Sequence, residues 1–151
     1  MFTREEFLEK LDHLLSLPSV PIIYIGWDQD KFTTPSSEEL IEIFRGKRSL
    51  YEGAMHFWVT CLRYQEDANP DTRPSGYARL SAPEHSLCRP ISEDEFSAKV
   101  SEKLSHLQEP VPLRLSSLFL GAMQMSEDWN DESFLCATDE EYIGFFWDTT
   151  A

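Results

Sequence analysis

Past Arg114 the chain contains no lysine or arginine, although it continues to Ala151. Eight carboxylates occupy that stretch: Glu127, Asp128, Asp131, Glu132, Asp139, Glu140, Glu141 and Asp148. Large aromatics stand among them: Phe119, Trp129, Phe134, Tyr142, Phe145, Phe146 and Trp147. A surface of one sign repels anions and attracts cations over about a Debye length, roughly 8–10 Å. The C-terminal third is therefore expected to bind something positively charged.

Other shortages narrow the field. With 13 bases against 27 acids the net charge is −14, which argues against nucleic acid and anionic membrane as targets, both being polyanions. Cys61, Cys88 and Cys136 are the only cysteines, an odd number without CxxC spacing. They suit neither a disulfide framework nor a zinc site and are expected to act as small hydrophobes in a reducing compartment. The six glycines are isolated, so no phosphate-cradling loop is expected. No window of about 18 uninterrupted apolar residues offers a membrane span. The opening Met-Phe-Thr-Arg-Glu-Glu reads as the start of a charged amphipathic helix rather than a signal peptide, and the expected location is cytoplasmic.

What is present describes one domain, 1–151, with 41% apolar residues, able to bury about 68–70% of its unfolded surface without staples. Three capping-box patterns, Thr3/Glu6, Ser36/Glu39 and Ser92/Glu95, precede apolar residues at helical spacing. They predict helices over about 4–17, 37–45 and 93–107. The first buries Phe7, Leu8, Leu11, Leu14 and Leu15, and the last Phe96, Val100, Leu104 and Leu107.

Strands are predicted at 22–27, 54–64, 76–80, 117–125, 133–137 and 141–147. The segment 54–64 is apolar on both faces, so a helix competes; Val59, Thr60 and the aromatics favour a strand. The segment 65–75 reads as a loop and the last three strands as an antiparallel meander. The class is α+β: an antiparallel sheet of five to six strands with about three helices packed on one side.

Catalytic signals are weak. His13, His56, His85 and His106 are scattered. On a strand, His56 and Cys61 point to opposite faces and make no nucleophilic pair. Asp128-Trp129-Asn130-Asp131-Glu132 echoes a calcium loop, but Ser133 stands where a glycine is needed and Phe134-Leu135-Cys136-Ala137 looks like core. No carboxylate pair is marked out for glycoside hydrolysis. The expectation is a protein that is not an enzyme and carries no metal or cofactor.

Seven of the eight acids fall in two connectors, 126–132 and 138–141, at opposite ends of the middle strand of the meander. Trp129, flanked by Glu127, Asp128, Asn130 and Asp131, is either an exposed anchor for Lys or Arg or a lid folded over the core. Phe145, Phe146 and Trp147 are expected in the core. In size, acidity and loops of Asp, Glu and Trp, the chain resembles the immunity proteins of bacterial toxin systems. That resemblance is to a functional class of many folds and is carried by no diagnostic motif. It implies a cationic protein partner, a toxin domain whose active site is covered. The expected contacts are Glu127, Asp128, Trp129, Asp131, Glu132, Asp139, Glu140 and Glu141. A polyanion (DNA) mimic blocking a nucleic-acid-binding protein and a small hydrolase or ligand-binding domain are the competing readings.

Overall fold

A computed structural model describes residues 1–68 and 83–150. Six strands form one antiparallel sheet in the order β1-β2-β6-β5-β4-β3. They are β1 (Ile23–Trp27), β2 (Glu39–Lys47), β3 (Arg89–Ile91), β4 (Phe119–Asp128), β5 (Asp131–Thr138) and β6 (Glu141–Thr149). Among the described residues, three α-helices complete the α+β fold: α1 (Arg4–Ser16), α2 (Ala54–Ala68) and α3 (Glu93–Leu104). The predicted C-terminal meander is present, its strands joined through Trp129-Asn130 and Asp139-Glu140.

The sheet is covered on both faces, not on one side as its pattern predicts. Alternation along β6 shows why. Tyr142 and Phe146 join the core beneath α1 and α2, whereas Ile143, Phe145 and Trp147 join the core beneath α3. All five are buried, and fully burying an aromatic or aliphatic side chain of this kind contributes about 1.5–3 kcal/mol. Strands that are apolar on both faces need two covering layers. Phe146 stacks on Trp58 of α2 with ring centroids 4.7 Å apart.

Thr3 and Glu6 close the predicted capping box of α1, and the Ser92 hydroxyl accepts from the Glu95 amide at the start of α3. Two segments exchange roles. Residues 37–45, predicted helical, form most of β2. Glu38 sits at φ 52°, a left-handed conformation that stops the short Pro35–Ser37 turn. The β-branched Ile41 and Ile43 then bury on one face and Phe44 on the other, between β1 and β6. Conversely 54–64 is helical. Phe57, Trp58, Cys61 and Leu62 recur at helical spacing on the buried side, and the Thr60 hydroxyl donates to the His56 carbonyl one turn back. The strand predicted at 76–80 lies outside the described residues; of the predicted loop 65–75, residues 65–68 are instead the last residues of α2, and 69–75 lie outside the described residues as well.

No helix among the described residues is long and apolar enough to cross a membrane.

Candidate functional site

The two acidic connectors lie at opposite ends of β5. At about 3.4 Å per residue, that strand's length separates them by roughly 25 Å. They do not form one patch.

The first connector is the tip of the β4–β5 hairpin. Asp128 pairs with Asp131 across the tip, and Asp131 with Asp148 on β6, so three carboxylates stand in register on adjacent strands. The Trp129 amide donates to the Asp128 carboxylate at 2.9 Å, and the Thr149 amide donates to the Asn130 carbonyl at 3.0 Å. These bonds tie the turn to itself and to the end of β6. Asp131 also accepts from the Ser126 hydroxyl at 3.3 Å. Trp129 is 71% exposed, so its indole is not a lid over the core.

Among the described residues, the chain's own bases engage Glu127, Glu132 and Glu141. Glu127 meets Lys99 at 3.0 Å and Arg89 at 3.2 Å. The hydrogen bond from Lys99 leads the influences that hold its carboxyl below the usual range. Glu132 meets Lys103 at 3.3 Å, and Lys103 lies 3.6 Å from the centre of the Trp147 ring. Glu141 pairs with Arg45. Asp139 accepts from the Leu118 amide at 3.0 Å, fixing the approach to β4. Glu140 is exposed, and its carbonyl accepts from the Arg48 amide at 3.0 Å. Pairing of Asp128 with Asp131 across the turn brings Asp128, Trp129 and Asp131 together at the hairpin tip. Glu127 and Glu132 project beside them toward α3, while Asp139, Glu140 and Glu141 stand at the far end.

The engaging bases come from earlier in the chain. On α3, Lys99 and Lys103 follow Phe96 at i+3 and i+7, which puts them beside the buried stripe of Phe96, Val100 and Leu104. That spacing was available as a signal that the two lysines face the sheet. The role of His106 carried no such signal. Its Nδ1 lies 2.6 Å from Glu39 and its Nε2 3.0 Å from Glu102.

The geometry also locates the other candidate chemistry. Along the calcium-like segment, Phe134 pairs with Gln124 and Phe145 within the sheet, and Phe134 and Cys136 are fully buried. His56 accepts from the Glu52 amide at 3.0 Å, whereas Cys61 faces the sheet against Gly144. An open cleft of about 500 Å³ lies at the far end of the sheet, lined by Ile23, Arg45, Lys47, Arg48, Asp139 and Glu141 among others. There Arg45 is committed to Glu141 and the Arg114 carbonyl, and Arg48 to the Thr138 carbonyl and the Tyr142 ring.

Comparison of the chain with protein-family models, with curated proteins and with solved structures finds no match.

Proposed function

We propose that this chain is a non-catalytic binding protein that docks a cationic protein partner on the β4–β5 hairpin end of its sheet. In its most specific form it is an immunity protein that neutralises a bacterial toxin domain by covering the toxin's active site. One observation carries the reading: Trp129, 71% exposed, stands at a hydrogen-bonded hairpin tip between carboxylates. An ordered tryptophan at the tip loses little conformational freedom on docking and offers both a broad apolar face and a ring for Lys or Arg.

The mechanism divides between rate and residence. The net charge of −14 steers a basic surface into encounter, raising the association rate most at low salt. Trp129 then fills a pocket of the partner and slows dissociation. Asp128 and Asp131 flank it, while Glu127 and Glu132, paired with Lys99, Arg89 and Lys103, hold the hairpin against α3. A nucleic-acid mimic requires carboxylates along one extended face, and the split between the two ends of β5 fits that reading poorly.

Affinity capture from the native host, with the complex eluted by rising salt, tests the proposal. The expected partner is a basic protein released progressively as ionic strength increases, and Trp129→Ala is expected to lose it. A partner held equally by wild type and Trp129→Ala would overturn the proposed site.

A further inference from the structure

The sheet has two unlike edges. One ends in β3, three residues long and containing Pro90, both recognised protections against unwanted strand pairing. The other ends in β1, whose sequence Ile-Tyr-Ile-Gly-Trp contains neither charge nor proline. Its only strand neighbour among the described residues is β2. Alternate residues therefore turn their N–H and C=O groups away from the sheet. Ile23 is 69% exposed, Ile25 50%, and Gly26 is exposed as well. Ile23, Ile25 and Trp27 share a face, because they pair with Arg45, Ile43 and Ile41 of β2.

We propose that β1 is a homodimerisation edge, on which a second copy of the chain adds its own β1 antiparallel across a two-fold axis. Centring the axis on Ile25 engages all five residues. Ile25 meets Ile25 of the second copy, Ile23 meets Trp27, and Tyr24 meets Gly26. The exposed isoleucines of both copies then form one apolar strip, and two six-stranded sheets become one of twelve strands. An isologous contact of this kind closes on itself.

Charge along the strand favours this direction of pairing. Beyond Trp27 come the exposed Asp28 and Asp30, with Lys31 the neighbouring base. At the opposite end, Arg45, which faces Ile23, is already paired with Glu141, and the exposed Lys47 two residues further along β2 supplies the complementary charge. In the two-fold register, Asp28 of the second copy stands level with Ile22, between the levels of Arg45 and Lys47. Two strand spacings amount to roughly 10 Å, comparable to the screening length in physiological salt. A parallel arrangement would instead set acid beside acid. The contact is a short strand and a narrow apolar strip, so the dimer belongs to the small, transient class of interfaces.

Sedimentation velocity from about 1 to about 200 µM protein tests the proposal. Wild type is expected to move from monomer toward dimer across this range. Ile25→Lys sets like charges opposite each other at the axis, as does Ile25→Glu, and each alone is expected to weaken the dimer at least tenfold. Ile25 is half exposed, so both variants are expected to melt as wild type does. An equal mixture of the two places opposite charges at the axis and is expected to restore a heterodimer. Wild type that stays monomeric throughout overturns the proposal. So does dimerisation that both variants retain, concentration-dependent growth into open filaments, or an edge used only by a different protein.

Discussion

Nδ1 of His106 lies 2.6 Å from a carboxylate oxygen of Glu39, joining the segment after α3 to the first residue of β2. Glu39 also accepts from the Trp147 indole N–H and the Ser37 hydroxyl, both at 2.7 Å. Burial alone would push its carboxyl up, but the bonds from His106, Trp147 and Ser37 outweigh burial and hold it below the ordinary range. For His106, burial would lower the value, and Glu39 and Glu102 together raise it.

The signs set a pH window. A histidine raised in the fold adds stability that is fully present below its unfolded value and is lost as pH rises through the folded one. A lowered carboxylate adds stability present above its unfolded value and lost as pH falls through the folded one. Together they are strongest between the ordinary glutamate and histidine values, 4.5 and 6.5. His56, lowered by burial, acts with the opposite sign to His106. The difference between wild type and His106→Gln isolates the network. Melting curves from about pH 5 to about pH 9 are expected to show the wild-type advantage shrinking as pH rises. A constant offset across that range would mean that His106 acts only by packing.

Lys103 belongs to the same seam. Its ammonium lies over the Trp147 ring and 3.3 Å from Glu132, with the lysine side chain only 13% exposed. Lys103→Met keeps the apolar stem and removes the charge, and is expected to cost about 1–2 kcal/mol. Glu132→Gln is expected to cost about 1 kcal/mol, with a double-mutant coupling of at least about 0.5 kcal/mol by urea denaturation. Additive effects would remove the pair from the fold's account and return Glu132 to the binding surface.

Trp129 and Asp128 are expected to behave in the opposite way. Trp129→Ala and Asp128→Asn should each leave stability within about 0.5 kcal/mol of wild type, since neither side chain is built into the core. In binding kinetics against a captured partner, Trp129→Ala should chiefly speed dissociation and Asp128→Asn chiefly slow association at low salt. A large drop in melting temperature for either would mean that the tip serves the fold.

Local signals located much of this architecture. Thr3/Glu6 and Ser92/Glu95 marked two helix starts because a capping box is a short-range device. The alternation in the C-terminal third marked a meander because short connectors leave few pairings. Ser36/Glu39 carried the same pattern and misled. Its glutamate turns to Ser37, His106 and Trp147 instead of a helix N-terminus. Residues 54–64 misled for a related reason: the run is apolar on both faces, so the helical spacing of Phe57, Trp58, Cys61 and Leu62 is masked by its other apolar residues, and its place against Tyr142 and Phe146 decided the matter. The binding surface was hardest to read. Sequence shows which carboxylates cluster along the chain, but not that Lys99, Lys103, Arg89 and Arg45 come back across the fold to meet them.

The three thiols give a separate check on packing. Cys61, Cys88 and Cys136 are buried and free, and burial pushes each thiol up, Cys88 to about 11 and Cys136 to about 12. The thiolate is the reactive form, so native protein near neutral pH should resist alkylation at all three sites, whereas denatured protein should label at all three. Rapid native labelling of Cys61 or Cys136 would place that residue outside the core.

At Gly144 the side chains of α2 lie close against the sheet. A Cβ built there would stand 3.2 Å from Cys61 Sγ, 3.3 Å from the Phe146 ring and 3.5 Å from the Phe57 ring. Gly144→Ala therefore forces small shifts in a packed layer, and Gly144→Val is expected to cost about 1–3 kcal/mol by overpacking. Removing the sulfur opens room beside the new group, so Cys61→Ala should recover part of the loss in the Gly144→Val background while destabilising wild type. That opposite sign distinguishes a steric clash at one contact from a general loss of sheet stability. Denaturation of the four proteins decides between them: equal penalties for Cys61→Ala in both backgrounds would mean that α2 does not rest on β6 at this point.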